Sequence, residues 1–302
     1  MKAYKIVLVI LLVGILIIGC SQNAPLGTKK NPIKMYFVPS MEAGKIVTSG
    51  QEIADYLHEK TGYFFRVAVP TSYASVIEAI GTKETDIAWL ATFAYILANE
   101  KFGAEVELTT VRNGLEKYKG QFVALAGSGI DSVEDIQGKV IAYTDAASTS
   151  GYIYPSALLA KKGIKPARSL FAGGHPQAIL AVYQGTADVG CTFWSPTDEN
   201  GTIRDARRAV IETYPDIVDK VKIIGYTEWI PNDTVTFRKE FPEDMKNAIV
   251  DALIEFANTE EGHQTLLDIL DIDNFVRANN SDYDVVRETL QALGTDASQF
   301  IQ

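Results

Sequence analysis

The chain has 302 residues, 47% of them hydrophobic, and a formal charge of −10 at neutral pH. That acidic balance argues against a nucleic-acid partner and against a polybasic membrane surface, but not against a small anionic ligand, which feels its local site more than the net charge. Three histidines and two cysteines, with no CxxC, no HExxH and no paired histidines, leave no expected metal site. No GxxxxGK followed by Ser or Thr occurs, and Gly127-Ser128-Gly129 lacks the third glycine of a dinucleotide loop, so no cofactor is expected.

Lys2 and Lys5 precede an uncharged apolar run from Ile6 to Ile18, 13 residues long. This is short for a membrane span and suits the core of a signal peptide. The run ends in Ile17-Ile18-Gly19-Cys20, which resembles a bacterial lipobox. The expectation is a signal peptide over 1–19, lipid on Cys20, and a protein anchored at the cell envelope outside the cytoplasmic membrane. Removing 1–19 takes away Lys2 and Lys5, so the formal charge goes from −10 to −12. With Cys20 lipidated, Cys191 is unpaired and reads as a small core residue of a buried strand. Residues 20–32 are polar, contain Pro25 and Pro32, and read as a flexible tether.

The folded part alternates strand and helix. Ile33 to Pro39 reads as a strand. Thr48 with Gln51 fits a capping box opening a helix that Gly62 closes. Phe64 to Val69 is the next strand, Ser72 to Ile80 a helix ended by Gly81, Asp86 to Leu90 a strand, and Thr92 to Glu100 a helix. A second group begins with a strand from Phe122 to Ala126. Then come a short helix from Ser132 to Ile136, a strand from Lys139 to Thr144, a helix from Ile153 to Lys162, and a strand from Ser169 to Ala172. Pro176 to Tyr183 is helical, and Ala187 to Phe193 and Lys222 to Tyr226 are strands. Ile230-Pro231-Asn232-Asp233-Thr234 reads as a break with turn chemistry. Helices follow over Pro242 to Ala257, Glu260 to Leu270 and Asp284 to Leu293. This rhythm predicts an α/β fold with two mostly parallel sheets flanked by helices. The length suits two lobes, 33–121 with 234–302 and 122–233.

One stretch stands out chemically. Ser148-Thr149-Ser150-Gly151 lies where a strand turns into a helix. The first N–H groups of a helix lack partners and carry the positive end of its dipole, so hydroxyls there suit an oxyanion. An ordinary N-cap explains one of these hydroxyls equally well.

Ordered phrases along the chain carry a resemblance. They are Pro70-Thr71-Ser72-Tyr73, Asp86-Ile87-Ala88-Trp89-Leu90 with Tyr95, Ser148 to Tyr152 with Pro155, Gly173-Gly174-His175 with Ala178 to Val182, and Ile230-Pro231-Asn232-Asp233 before Phe237-Arg238. In this order the chain resembles the phosphonate/phosphite-binding proteins of bacterial ABC importers. The resemblance implies a two-lobed periplasmic-binding-protein fold of type II, with a ligand cleft between lobes that close on it. It implies that Ser148, Thr149, Ser150, Tyr73, Tyr95 and His175 hold a phosphorus oxyanion, with Asp233 as a carboxylate facing the cleft. Pro-Asn-Asp is a good turn by itself, which is the other reading of Asp233. Implied partners are a small phosphonate- or phosphite-class oxyanion and an ABC permease with its ATPase, around a monomer. The family member suited to aminoalkyl phosphonates has a second acid after the strand that here ends at Phe193. This chain has Trp194-Ser195-Pro196, and Trp194 is a candidate to cover the ligand.

Three other readings stay open. The same fold can hold phosphate, sulfate, a phosphorylated metabolite or a thiamine-like compound. A surface lipoprotein for adhesion or sensing needs no small ligand. A Ser-His-Asp hydrolase is disfavoured, because no GxSxG elbow is present, and the chain is read as a non-enzyme.

Overall fold

The computed structural model describes residues 24–198 and 200–292. The leader over 1–19, Cys20 and its lipid, and the last predicted helical residue, Leu293, lie outside the described residues. Strands β1 (Ile33–Phe37), β2 (Phe65–Ala68), β3 (Ile87–Leu90), β4 (Glu105–Val111), β10 (Thr234–Phe237) and β11 (Asn274–Arg277) form one sheet, in the order β11-β4-β10-β3-β1-β2. Strands β5 (Lys117–Leu125), β6 (Val140–Tyr143), β7 (Arg168–Phe171), β8 (Val189–Trp194) and β9 (Val221–Pro231) form the other, in the order β7-β6-β8-β5-β9.

The helices are α1 (Ala43–Thr61), α2 (Tyr73–Gly81), α3 (Thr92–Phe102), α4 (Tyr154–Lys161), α5 (His175–Tyr183), α6 (Glu243–Ala257), α7 (Glu260–Leu270) and α8 (Asp284–Ala292). On one face of the first sheet, Ile46, Ile53 and Leu57 of α1 pack with Leu253 of α6 and Leu266 of α7. On the other, Val76 and Ile77 of α2 pack with Phe93 and Ile96 of α3. That second cluster also takes in Tyr118, Ala147, Ile153 and Tyr154, so apolar packing runs from one sheet's helices into the elements of the other.

The fold class is α/β as expected, but the sheets are mixed rather than mostly parallel. β1 is parallel to β2 and β3, and β6 to β7 and β8. β10 is antiparallel to β3 and β4, β11 to β4, and β5 to β8 and β9. Parallel neighbours need a long crossover, usually a helix. β5 and β10 instead arrive directly from the other sheet. β4, β10 and β11 were not expected as strands, and β5 begins five residues before the predicted boundary, so Lys117 to Gln121 belong to the second sheet.

Two local expectations are corrected. α1 starts at Ala43, with no side-chain cap at Glu42. Thr48 sits inside the helix and donates to the Gly44 carbonyl at 3.1 Å, a bond available only mid-helix. The tether is ordered from Ala24 on. Gly27 N–H donates to Asn31 O, Phe64 N–H donates to Gly27 O, and Leu26 packs against the first sheet's core. Among the described residues no helix is long and apolar enough to cross a membrane.

The chain passes between the sheets twice, at 112–116 and at 232–233. These crossovers lie side by side: Lys117 pairs with Pro231, and Asn232 N–H donates to Glu116 O at 3.0 Å. Asn232 is fully buried, and its Nδ2 donates to both Thr110 O and Leu115 O at 2.8 Å. It therefore ties one crossover to the other. Asn232→Ala removes both bonds, one of them to the carbonyl of the buried Thr110, while Leu115 O keeps the Arg112 N–H. It is expected to cost about 2–3 kcal/mol of unfolding free energy in urea titration.

Candidate functional site

The turn after β6 is wider than an ordinary helix start. Ser148 is its cap, with its hydroxyl accepting from Gly151 N–H at 3.1 Å. Thr149–Ile153 then forms a π-helical turn, in which Tyr152 N–H and Ile153 N–H both reach Ser148 O at 3.1 Å. Such turns recur at functional sites. A side chain on Gly151 would collide with the Thr144 hydroxyl. On β5, a Cβ at Gly120 would lie 2.8 Å from the Ser150 carbonyl, so glycine there lets the turn press onto the strand. Tyr118, two residues earlier on the same strand face, comes up against the same turn.

The elements of both sheets close over a cavity of ≈ 40 Å³. One water needs about 10–15 Å³ by this measure, so the space suits a compact tetrahedral anion rather than a long ligand. Tyr73, Tyr118, Ser148, Ser150, His175 and Phe193 line it, with Arg112, Asp233, Arg208 and Asp271. Burial, with Asp145 and Asp233 adding to it, pushes the Tyr73 phenol well above its usual range. Burial and then Asp233 act on Tyr118 in the same direction. Both phenols therefore stay protonated and able to donate. Tyr73 opens α2, but its backbone N–H faces the Asp145 carboxylate, not the cavity.

His175 is 5% exposed at the start of α5. Its Nδ1 lies 3.2 Å from the Thr144 hydroxyl, and its ring meets Phe193 edge-on at 4.9 Å. Burial, helped by the Arg112 charge, lowers it to about 3, so the ring is neutral at ordinary pH. Asp233 reaches the cavity and accepts from Arg112 Nη2 at 2.7 Å.

Three expected residues stand elsewhere. Thr149 accepts from Phe93 N–H at 2.8 Å, stitching the turn to the start of α3. Tyr95 donates to Asn280 at 2.7 Å and packs edge-on to Tyr283, away from the cavity. Trp194 packs on Tyr226 and Trp229, while its neighbour Phe193 faces the cavity, as alternation along β8 requires.

The model of a family described as the periplasmic substrate-binding protein of the phosphonate ABC transporter matches residues 35–283. The chain belongs to that family. It is 27% identical over 181 residues to the "Phosphate-import protein PhnD" of Mycolicibacterium smegmatis, covering 55% of this chain and 56% of that one. It is 24% identical over 213 residues to the "Phosphonates-binding periplasmic protein" of Escherichia coli, covering 68% and 60%. The matches thus span little more than half of each relative's length. PhnD1 from Prochlorococcus marinus, solved in complex with methylphosphonate, has the same fold, with a TM-score of 0.74 at 15% identity over 87% of this chain and 98% of that one.

In this member of the family, the cavity's charged groups come in pairs that sequence reading missed. Asp271 caps the end of α7 in the left-handed region, at φ 60°, and is bound by Arg208 and by Arg204 Nε at 2.6 Å. Arg204 Nη2 also reaches Asp273 at 3.1 Å. These arginines follow β8, whereas the aspartates follow α7, so the pairs clasp the two sheets' elements together. His175 N–H, donating to Ser40 O at 3.2 Å, adds a backbone tie between the same sides.

The low His175 value sets a pH dependence. An unfolded histidine titrates near 6.5. Between there and about 3 the unfolded chain binds the extra proton, so stability falls as pH is lowered through that window. His175→Gln is expected to lose about 3 kcal/mol less unfolding free energy than wild type between pH 6.5 and 4, followed by urea titration at each pH.

Proposed function

We propose that this protein captures a phosphonate- or phosphite-type oxyanion between two lobes and delivers it to an ABC permease driven by a separate ATPase. The lobes correspond to the two sheets with their helices, joined by the paired crossovers. The observation that carries this reading is the donor set around the small cavity. Two protonated phenols and two serine hydroxyls converge there beside the neutral His175 ring, while Arg112 with Asp233 and Arg208 with Asp271 cancel in charge. Neutral donors hold an oxyanion through directed hydrogen bonds without the retention of an unpaired cation. The ligand stabilises the closed arrangement by bonding to both lobes at once: Tyr73 on one, and Tyr118, Ser148 and Ser150 on the other. Family membership supports the transport role and a non-catalytic site. In addition, His175 Nδ1 is turned to Thr144 rather than to a serine. Lipid on Cys20 would hold the monomer at the envelope.

The cavity's size weighs against phosphorylated metabolites and thiamine-like compounds. Phosphate is the serious rival, given the name of the mycobacterial relative.

Thermal melts of the full chain with phosphite, methylphosphonate, 2-aminoethylphosphonate, phosphate and sulfate test the reading. A ligand at 1,000 times its Kd adds about 4 kcal/mol, which raises Tm on the order of 10 °C. A rise with phosphorus oxyanions is expected; no rise with any of them removes the proposal. Calorimetric titration with the best of them separates the tyrosines. Tyr118→Phe is expected to weaken binding about tenfold, the loss of one hydrogen bond to a charged ligand. Tyr95→Phe is expected to leave affinity within about twofold.

A further inference from the structure

The starts of three helices are finished from the opposite side of the cavity. The first N–H groups of a helix have no partner within it. α3 opens behind Ala91, whose methyl group offers no acceptor. Its Phe93 N–H is met at 2.8 Å by the Thr149 hydroxyl, from the turn after β6 in the other sheet, 56 positions away. Both residues are fully buried. α2 uses its own cap, Ser72, on Ser75 N–H at 3.2 Å. Its first N–H, that of Tyr73, faces the Asp145 carboxylate from the second sheet's side. Asp145 is aimed by Ala147 N–H, which donates to its Oδ1 at 2.8 Å. In the reverse direction, α5 starts behind Gly174 with no side-chain cap, and its first N–H, that of His175, donates to Ser40 O at 3.2 Å.

An ordinary N-cap precedes its own helix and works whether two lobes are apart or together. A hydroxyl and a carboxylate are the groups that a helix start prefers, yet here they stand across the cavity from the helices they serve. On the proposed hinge closure, we infer that Thr149 and Asp145 are positioning residues that complete the starts of α3 and α2 only when the two sides meet. Opening uncaps both helices and turns their first N–H groups to water. Closing restores the caps, so the ligand's contacts and the caps form together. Thr149 therefore acts on affinity through Phe93 and not through the ligand. Ser148 and Ser150, on either side of it, line the cavity, whereas Thr149 does not. The turn divides its hydroxyls between ligand and closure.

The test is amide hydrogen exchange of the full chain, read residue by residue by NMR, with and without saturating methylphosphonate. In wild type the ligand is expected to slow exchange of the Phe93 amide about tenfold or more, while Ile96, bonded within α3, changes less than about threefold. Calorimetric titration supplies the second readout. Thr149→Val keeps the shape and removes the acceptor; it is expected to leave Phe93 exchanging fast with or without ligand and to weaken binding about tenfold. Thr149→Ser restores the hydroxyl and is expected to bind within about threefold of wild type. Ala91→Ser gives α3 a cap of its own, and in that background the cost of Thr149→Val is expected to fall below about threefold. A hydroxyl that touched the ligand would keep its full cost there. Equal protection of Phe93 in wild type with and without ligand overturns the inference, whether or not any variant folds. So does a Thr149→Val protein that binds like wild type, or a cost undiminished beside Ala91→Ser. In those cases the oxyanion site itself stands. A wild type that binds no phosphorus oxyanion removes the binding reading instead. The caps are then judged on the ligand-free chain, where Thr149→Val must speed Phe93 exchange and leave Ile96 unchanged; equal Phe93 exchange in the two proteins overturns the inference.

Discussion

A cavity proposed to hold an anion and later give it up cannot carry a large charge of its own. This constraint orders the surroundings of the 148–151 turn. Among the described residues, both arginines that line the cavity are committed to a carboxylate: Arg112 to Asp233 and Arg208 to Asp271. Burial keeps the phenols protonated and His175 neutral. The field inside is therefore built from dipoles and paired ions, whose attraction for an anion is directional and short-ranged. Buried pairs of this kind add little net stability on their own, so their value lies in the alignment they impose.

A few polar contacts between the two sides add to the apolar packing of Tyr118, Ala147, Ile153 and Tyr154 against the helices of the first sheet. Thr149 takes one backbone N–H from Phe93, His175 gives one to Ser40, and the arginine–aspartate clasp spans the rim. Each such bond contributes on the order of 1 kcal/mol net. On the proposed hinge closure, the ligand's own contacts to both sides are what shift the balance between arrangements.

The sequence was most informative where the cause is local. Hydroxyls at Ser148 to Ser150, the Gly62 stop and the strand–helix rhythm from Ile33 to Glu100 all follow from neighbours a few residues apart. It misled where strand extent mattered. Placing the start of β5 at Phe122 hid Tyr118, although Tyr118 and Gly120 alternate in step with Phe122. The phrase around Tyr95 drew attention to a tyrosine that α3 turns toward α8. Trp194 against Phe193 was a question of which face of β8 looks inward, and alternation answers it only once the sheet's partners are known. The Arg208–Asp271 pair joins residues 63 positions apart, and no pattern in the chain announces it. β10 is four residues long, follows turn chemistry, and is a strand because β3 and β4 hold it on both sides.

That last strand has a consequence for biogenesis. β10 lies in the middle of the first sheet, between β3 and β4, yet it is made only after the whole second sheet has been synthesised. The ribosome thus releases β1 to β4 as two unjoined pieces with exposed edges, while β5 to β9 emerge as one continuous unit able to form at once. The later-encoded sheet is expected to mature first, and the earlier one to wait for its central strand. Were the leader expected over 1–19 to direct the chain across a membrane, this delay would be useful, because a half-built sheet stays unfolded enough to be threaded through.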